Sequence, residues 1–246
     1  MCWETVMSSY ATLTRPGERE NNEDAIWVGY KADALCMLLA DGLGGHGSGE
    51  VASAIAVDTC RSLWDNSTAE SFSTAGFFEL CEQRLEERQR IKHNFSGMKT
   101  TVVLCRTLGN EVLCAHVGDS RMYYFRRGKI LCRTLDHSVP QMLVFSKEIK
   151  EKQIRNHPDR NRLLKVMGER ENELFFEEMK PITMRSGDAV LMMSDGFWEN
   201  VEDKEMQKCL KAASSPEDWL SRMEDIAVNR AKNKNMDNYS AIAVWI

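Results

Sequence analysis

Acidic side chains that could bind a metal ion occur at four places in this chain of 246 residues. They are Glu23-Asp24, Asp41, Asp195 and Asp237. Three of these places border an apolar run that is typical of a strand, namely 35–40, 189–193 and 239–246. Carboxylates at strand ends can converge at the rim of a sheet, where they repel one another unless a cation holds them. Because ligands that are all oxygen favour hard ions such as Mg²⁺ or Mn²⁺ over zinc, the pattern predicts a metal-centred enzyme.

The elements that must position these carboxylates are predicted from periodicity and turn residues. We expect strands at 8–14, 25–30, 34–40, 100–107, 111–117, 121–126, 129–132, 189–194 and 239–245. We expect helices at 50–64, 71–91, 203–212 and 216–231, with a mixed-charge helical segment at 138–157. Residues 41–49 are predicted to form a glycine-rich turn, and 174–184 a hairpin-like region. Strand-rich stretches with helical pairs early and late predict helices packed outside two stacked antiparallel sheets, in one domain spanning 1–246.

Bulk properties exclude several classes of protein. The formal net charge of -5, with no dense run of Lys or Arg, argues against nucleic-acid binding. The longest apolar stretches are about seven residues, well short of the ~20 that span a bilayer. The N-terminus also lacks the pattern of a signal peptide. We therefore expect neither membrane attachment nor export.

The eight cysteines form no Cys-x-x-Cys pair, and most lie within apolar runs. This pattern is typical of small buried side chains in a reducing compartment, and it lacks the clustered spacing of a zinc site. We therefore expect a cytoplasmic protein.

A series of short motifs carries a family resemblance from about Thr14 to the C-terminus. The motifs are 17–19, 22–25, 40–46, 97–101, 116–121, 135–138, 157–161, 194–198 and 237–238. In this order they resemble the metal-dependent Ser/Thr protein phosphatases of the protein phosphatase 2C family, in its compact bacterial form. The resemblance implies an α+β fold, an α-β-β-α sandwich of two antiparallel sheets flanked by helices. Residues 136–138 and 157–161 flank the mixed-charge helical segment, and the resemblance places this region near the rim of the active site.

The resemblance implies hydrolysis of phosphoserine and phosphothreonine in proteins by a water activated between two Mn²⁺ or Mg²⁺ ions. Asp41 would bridge both ions and Gly42 would offer its carbonyl oxygen to one, while Asp195 and Asp237 would complete the other. Glu23 would bind an ion through a water molecule. Asp24 would either do the same or form hydrogen bonds that support the residues that bind the ions.

Arg19 matches the family's phosphate-binding arginine. A guanidinium suits this role because it grips two phosphate oxygens in one plane and keeps its charge. One departure from the family lies at Leu43, where many members carry a histidine proposed as the general acid. His46 is a nearby substitute, although a role in orienting its loop through hydrogen bonds is favoured over proton donation.

Asp119 matches the position that, with Asp195, holds a third and weaker ion in bacterial members. The alternative is an aspartate that forms hydrogen bonds in a turn between two strands. Asn238 would fix Asp237 or the loop that carries it. The hydroxyls of Thr100 and Thr101 are expected to satisfy buried backbone groups.

Three functions remain in competition. The first is an active phosphatase on phosphorylated proteins, a signalling enzyme that reverses a Ser/Thr kinase and works as a monomer. The second is a phosphoprotein-binding module of the same fold without catalysis, although no expected aspartate is missing. The third is an unrelated two-metal hydrolase of small phosphoesters or nucleotides, which the absence of a P-loop disfavours.

Overall fold

Two antiparallel sheets form the centre of the computed structural model, which describes residues 9–44, 48–91, 97–169, 174–232 and 235–246. The strands are β1 Ser9–Arg15, β2 Asp24–Lys31, β3 Ala34–Leu43, β4 Lys99–Thr100, β5 Val102–Leu108, β6 Glu111–Val117, β7 Arg121–Arg126, β8 Lys129–Arg133, β9 Glu177–Glu178, β10 Ile182–Thr183, β11 Ala189–Met193 and β12 Tyr239–Trp245. The α-helices are α1 Ser48–Asp65, α2 Thr74–Ile91, α3 Val139–Phe145, α4 Asp195–Trp198, α5 Asp203–Ala212 and α6 Pro216–Ala231, and a 3₁₀ helix spans Glu151–Asn156.

The first sheet has the strand order β1-β12-β11-β7-β8, and the second has the order β10-β6-β5-β3-β2. Strand β4 joins the second sheet on β3, and β9 joins it on β6. Because β1 and β12 come from opposite ends of the chain yet pair over seven residues, the first sheet ties the termini of the described chain together.

Three hydrophobic cores separate the layers. One lies between the sheets and includes Met37, Val103, Tyr124 and Ile242. The second lies between the β2–β3 sheet and helices α1 and α2, and the third packs α5 and α6 on the other sheet. The order of layers is therefore helix, sheet, sheet, helix, which confirms the predicted α-β-β-α sandwich.

The structure corrects two predictions about local elements. Residues 41–43 continue strand β3, where the sequence predicted the start of a turn, because Gly42 and Leu43 pair with Thr100 and Lys99 of β4. The region 174–184 does not form a hairpin, since β9 and β10 both pair with β6 and lie one after the other along it. In the described part of the chain, no helix combines the length and the apolar character needed to cross a membrane.

Candidate active site

The predicted acidic residues meet at one end of the sandwich, where the two sheets face each other. Asp24 begins β2 and lies opposite Asp41 in the register of β2 and β3. In the other sheet, Asp195 directly follows β11 and Asp237 lies two residues before β12, the strand next to β11. Around them is a cleft of about 580 Å³, lined by Arg19, Glu20, Asn21, Glu23, Asp41, Gly42, Leu43, Gly44, Asp119, Asn161, Leu163, Asp195, Asp237 and Asn238.

The backbone of Asp41 is held by two threonines of the neighbouring chain segment. The Asp41 amide donates to Thr101 Oγ1 at 3.2 Å, and the Asp41 carbonyl accepts from Thr100 Oγ1 at 2.9 Å. The same carbonyl accepts from the Thr101 amide at 2.8 Å. This arrangement confirms that the two hydroxyls satisfy backbone groups, and it fixes the direction in which the Asp41 side chain leaves the strand.

Gly42 has no room for a side chain. A Cβ at this position would lie 2.1 Å from the carbonyl oxygen of Gly49 and 2.6 Å from that of Glu23. The Gly42 amide also donates to the Glu23 carbonyl at 3.0 Å. Glycine therefore lets the start of α1 and the loop before β2 approach the end of β3 together.

Asp24 is buried behind the cleft with one oxygen satisfied and one not. Its Oδ2 accepts from Ser194 Oγ at 2.7 Å, whereas Oδ1 has no hydrogen-bond partner in the structure. Burial raises the pKa of Asp24 to about 7, the nearby hydroxyls of Ser240 and Ser194 oppose that rise, and the charges of Asp195 and Asp237 add to it. An unpaired buried carboxylate is costly, so this group needs a proton or a cation nearby.

The cleft is electrostatically unfavourable for its own carboxylates. Burial, and then the charges of Asp24 and Asp195, raise the pKa of Asp41 well above its ordinary value. Burial, and then the charge of Asp237, raise the pKa of Asp195 to about 6. Burial also raises the pKa of Glu23, to which the charge of Asp237 adds. Mutual repulsion of this kind is what a bound divalent cation would relieve.

Asp119 is buried at the floor of the cleft and is held through its backbone. Trp198 Nε1 donates to the Asp119 carbonyl at 3.0 Å, and the Arg121 guanidinium lies 3.4 Å from the centre of the Trp198 ring. Arg121 in turn makes two hydrogen bonds, of 2.7 and 2.6 Å, to the carboxylate of buried Asp136. Burial, and then the charge of Asp195, raise the pKa of Asp119 well above its ordinary value.

Arg19 reaches the cleft from the loop between β1 and β2. Its Nη2 donates to Asp237 Oδ2 at 2.7 Å, and about half of its side chain is exposed. Asn238 holds this loop against the start of β12. Its Nδ2 donates to the carbonyls of Pro16 and Asn21, each at 2.8 Å, and its Oδ1 accepts from the Glu23 amide at 2.9 Å.

The Asn238 amide thus fixes the loop that carries Arg19 and Glu23, whereas the sequence expectation was that it fixes Asp237 or its own loop. It also contributes its backbone amide to Asp237 Oδ1 at 2.8 Å. The other predicted residue, His46, lies outside the described residues.

Sequence reasoning assigned no role to Asn161, Leu163 or Glu199, although Asn161 lies in the motif 157–161. Asn161 and Leu163 line the cleft from the segment after the 3₁₀ helix. Glu199 lies four residues after Asp195, and burial followed by the charge of Asp195 raises its pKa to about 7. The signal that could have identified Glu199 is this spacing, which brings residues onto one face once a helical turn follows the strand.

A second group of potential metal ligands, His116, His137 and Glu177, lies among the described residues. His137 Nδ1 accepts from the Gly118 amide at 3.1 Å, so in the neutral ring Nε2 carries the proton and faces Glu177 Oε2 at 3.3 Å. A ring with that tautomer has no free lone pair for a metal ion. We therefore assign His137 to a structural role that ties Gly118 to strand β9.

Comparisons with known proteins agree with this arrangement. The model of a family described as Protein phosphatase 2C matches residues 17–238. The serine/threonine phosphatase Stp of Listeria welshimeri is 31% identical over 236 residues, covering 92% of this chain and 90% of that protein. The serine/threonine protein phosphatase PstP of Mycobacterium tuberculosis is 29% identical over 214 residues, covering 84% of this chain and 40% of that protein.

A solved structure with the same architecture is the serine/threonine phosphatase Stp1 from Staphylococcus aureus. It superposes with a TM-score of 0.87 at 28% sequence identity, covering 98% of this chain and 96% of that one. The likeness therefore extends over both sheets and both helical layers.

Proposed function

Because this chain belongs to the protein phosphatase 2C family, we propose that its acidic cleft is the catalytic centre of a metal-dependent Ser/Thr protein phosphatase. The observation that carries the assignment is the convergence of Asp41, Asp119, Asp195 and Asp237 on one cleft, beside the guanidinium of Arg19. We further propose that residues 1–246 form a single catalytic domain. Its substrates would be phosphoserine and phosphothreonine residues of proteins.

The residues of the cleft fit Mn²⁺ or Mg²⁺. All of the candidate donors are oxygens, as these ions prefer. Oδ1 of buried Asp24 has no hydrogen-bond partner, so no protein donor balances its negative charge. Asp41, Asp195 and Asp237 would hold two ions together with the Gly42 carbonyl, and Glu23 and Asp24 would support them through water. Asp119, with Asp195, would hold a third. When bound, such ions supply an activated water and neutralise charge on the phosphoryl group.

Arg19 would bind the phosphate of the substrate. Its ion pair with Asp237 leaves other N–H donors on the guanidinium, and half of the side chain is exposed to an incoming anion. Asn238 would keep Arg19 at this place, since it anchors the loop at Pro16 and at Asn21, on either side of the arginine.

Leu43 lines the cleft at the position where many family members carry a histidine. An apolar side chain donates no proton, and no histidine lines this cleft among the described residues. We therefore propose that a water molecule in the cleft gives a proton to the departing alkoxide, with His46, which lies outside the described residues, as the alternative donor.

The setting we propose is a cytoplasmic signalling enzyme that acts as a monomer and reverses a Ser/Thr kinase. The seven described cysteines are all unpaired, which supports a reducing compartment.

The test is phosphate release from a phosphothreonine peptide, a nucleoside triphosphate and an arylphosphate, each with Mn²⁺ and with EDTA. A metal-dependent protein phosphatase hydrolyses the peptide only with Mn²⁺ and leaves the nucleotide intact. Binding of the peptide without turnover would instead support the phosphoprotein-binding module. Preference for the nucleotide would support the small-phosphoester hydrolase.

A further inference from the structure

A glutamine occupies the buried face of α2, where its neighbours are apolar. The buried residues of this helix, all of which the structure describes, are Phe77, Phe78, Cys81, Leu85 and Gln89. Four of these positions, 77, 81, 85 and 89, follow one another at the spacing of about one helical turn, so they lie on one face. Because a buried amide costs free energy unless it is hydrogen-bonded, packing alone does not explain a glutamine at the end of this apolar series.

Gln89 joins two segments that are far apart in the sequence. Its side chain is buried, and its Nε2 donates two hydrogen bonds of 2.8 Å, to the carbonyls of Met98 and Gly168. An amide nitrogen carries two hydrogens, so one side chain uses both donors on the backbone. Met98 leads into β4, and Gly168 belongs to the segment that follows the cleft residues Asn161 and Leu163.

The backbone of Gly168 is held by a second residue of the same helix. Glu82 lies two turns before Gln89, and its Oε2 accepts from the Gly168 amide at 2.9 Å. Gly168 has a φ of +81°, and a Cβ there would lie 2.6 Å from the Met98 carbonyl oxygen. Only glycine therefore fits between α2 and the start of β4. We refer to Glu82 and Gln89 as the α2 polar pair.

Residues 167–169 connect the α2 polar pair with β4. The Thr100 amide donates to the Met167 carbonyl at 3.1 Å, and the Met167 amide donates to the Thr100 carbonyl at 2.9 Å. Next to this pair of bonds, Lys99 Nζ lies 2.6 Å from Glu169 Oε1. The short segment 167–169 thus lies between α2 on one side and β4 on the other.

Strand β4 in turn holds the end of β3 that carries Asp41. Gly42 and Leu43 pair with Thr100 and Lys99, and Thr100 Oγ1 donates to the Asp41 carbonyl at 2.9 Å. Each step from α2 to Asp41 is therefore a hydrogen bond to backbone. Neither residue of the α2 polar pair is among the described residues that line the cleft, so any effect on the site must pass through this path.

We propose that the α2 polar pair positions the metal-binding end of β3, with Gln89 as the main positioning residue. The inference rests on the proposed phosphatase function and adds to it residues that act from behind the cleft without touching substrate or metal. Gln89 keeps β4 and residues 167–169 in place, and β4 sets the direction in which the Asp41 carboxylate leaves its strand. Residues that orient metal ligands through hydrogen bonds affect metal affinity by about 10- to 100-fold.

The experiment measures Mn²⁺ binding by isothermal titration calorimetry, without substrate, in wild type and Gln89→Met. Methionine has nearly the length of glutamine and fills the same space, but it donates no hydrogen bond. We expect the Kd for Mn²⁺ to rise by about 10-fold. With an arylphosphate at saturating Mn²⁺, KM should stay within about twofold of wild type, because Gln89 has no contact with the substrate.

The second member of the pair supplies a conservative variant. Glu82→Gln keeps an oxygen that accepts from the Gly168 amide and should bind Mn²⁺ as wild type does. Glu82→Met loses this acceptor and should bind Mn²⁺ more weakly. The matched control is Gln207→Met, since Gln207 Nε2 donates to a backbone carbonyl within its own helix, α5, and its loss should leave the Kd unchanged.

A folded Gln89→Met protein that binds Mn²⁺ as tightly as wild type would overturn the inference, and so would a higher KM with an unchanged Kd. If Gln89→Met does not fold, the two Glu82 variants decide: equal Kd values for Glu82→Gln and Glu82→Met would overturn it, and weaker binding by Glu82→Met alone would support it. If wild type itself binds no Mn²⁺ and hydrolyses no phosphopeptide, the proposed function has failed, which is a different result.

Discussion

At the scale of single residues, the cleft brings together buried carboxylates whose negative charges repel one another in the metal-free protein. Asp24, Asp41, Asp119 and Asp195 all have raised pKa values, with burial as the first cause in each case. A carboxyl whose pKa is raised by folding stabilises the protein while it is protonated. That contribution is complete below the pKa of the unfolded state and is lost as the pH rises through the pKa of the folded state.

Asp24→Asn should therefore stabilise the metal-free protein at pH 8, where wild type has a buried charge without a partner on Oδ1. The amide keeps an acceptor for Ser194 and carries no charge. We expect the free energy of unfolding to rise by about 1 kcal/mol or more. Each kcal/mol should raise Tm by roughly 2–4 °C. Thermal melts in EDTA between pH 5 and 8 measure it, because wild type should lose stability over that range and the variant should lose less.

Asp58→Asn is the control, since Asp58 is an exposed aspartate on α1 and its neutralisation should leave the pH dependence unchanged. A variant Asp24→Asn that melts lower than wild type at pH 8 in EDTA would contradict this account of the buried carboxyl.

Arg19→Ala should lower kcat/KM for a phosphothreonine peptide, mainly through a higher KM, because a charged hydrogen bond to the phosphate is lost. The expected loss is about 10- to 100-fold, corresponding to about 1.5–3 kcal/mol. Steady-state kinetics with Mn²⁺ measure it, and a Mn²⁺ titration should show a smaller change. Arg15→Ala is the control, since Arg15 is about as exposed and pairs with Glu224 instead. An unchanged KM in Arg19→Ala would remove the phosphate-binding role.

The sequence identified the residues that lie within short motifs, including Arg19, Asp41 and Asp195. It did not identify Arg155 or Glu199, and it gave Arg160 no role although that residue lies in the motif 157–161, because the partners of these side chains are distant in sequence. Arg160 meets Glu199 across 39 positions, and Arg155 meets Asp203 across 48. No local pattern encodes a contact that depends on the path of the whole segment between α3 and α4.

At the scale of elements, the site depends on the close approach of β3, the start of α1 and the loop before β2. The prediction of a turn from Asp41 failed because glycine is as compatible with a tightly packed strand end as with a turn. What decides between them is the pairing of Gly42 and Leu43 with β4, which lies almost 60 residues further along the chain. Segments with regular periodicity were easier to predict, and α5, α6 and β12 have the predicted bounds.

Gly42→Ala should destabilise the protein, since the added Cβ would lie 2.1 Å from the Gly49 carbonyl and force α1 away from β3. Overpacking of this kind costs about 1–3 kcal/mol, which is roughly 2–12 °C in Tm for a chain of this size. Differential scanning calorimetry measures the change, and Mn²⁺ affinity should fall with it. Gly97→Ala is the control, because a Cβ there meets nothing within 4 Å. Equal melting of the two variants would mean that the junction adjusts freely.

At the scale of the whole molecule, both sheets contribute to one centre. Asp24 and Asp41 come from the β2–β3 pair, whereas Asp195 and Asp237 come from the ends of β11 and β12. The core between the sheets, with Met37, Tyr124 and Ile242, holds these two groups of carboxylates in register. The layer order was predictable from the strand and helix pattern, but the meeting of the carboxylates required the motif resemblance, since periodicity does not specify which strand ends coincide.

The measurement that tests the central claim most directly is Mn²⁺-dependent phosphate release from a phosphothreonine peptide by wild type and Asp237→Ala. Asp225→Ala serves as the control, because Asp225 is an exposed aspartate on α6. The account predicts that wild type and the control release phosphate only when Mn²⁺ is present, and that Asp237→Ala loses about 100-fold or more in kcat/KM. Full turnover by a folded Asp237→Ala protein, or equal turnover in EDTA, would contradict a metal-dependent centre in this cleft.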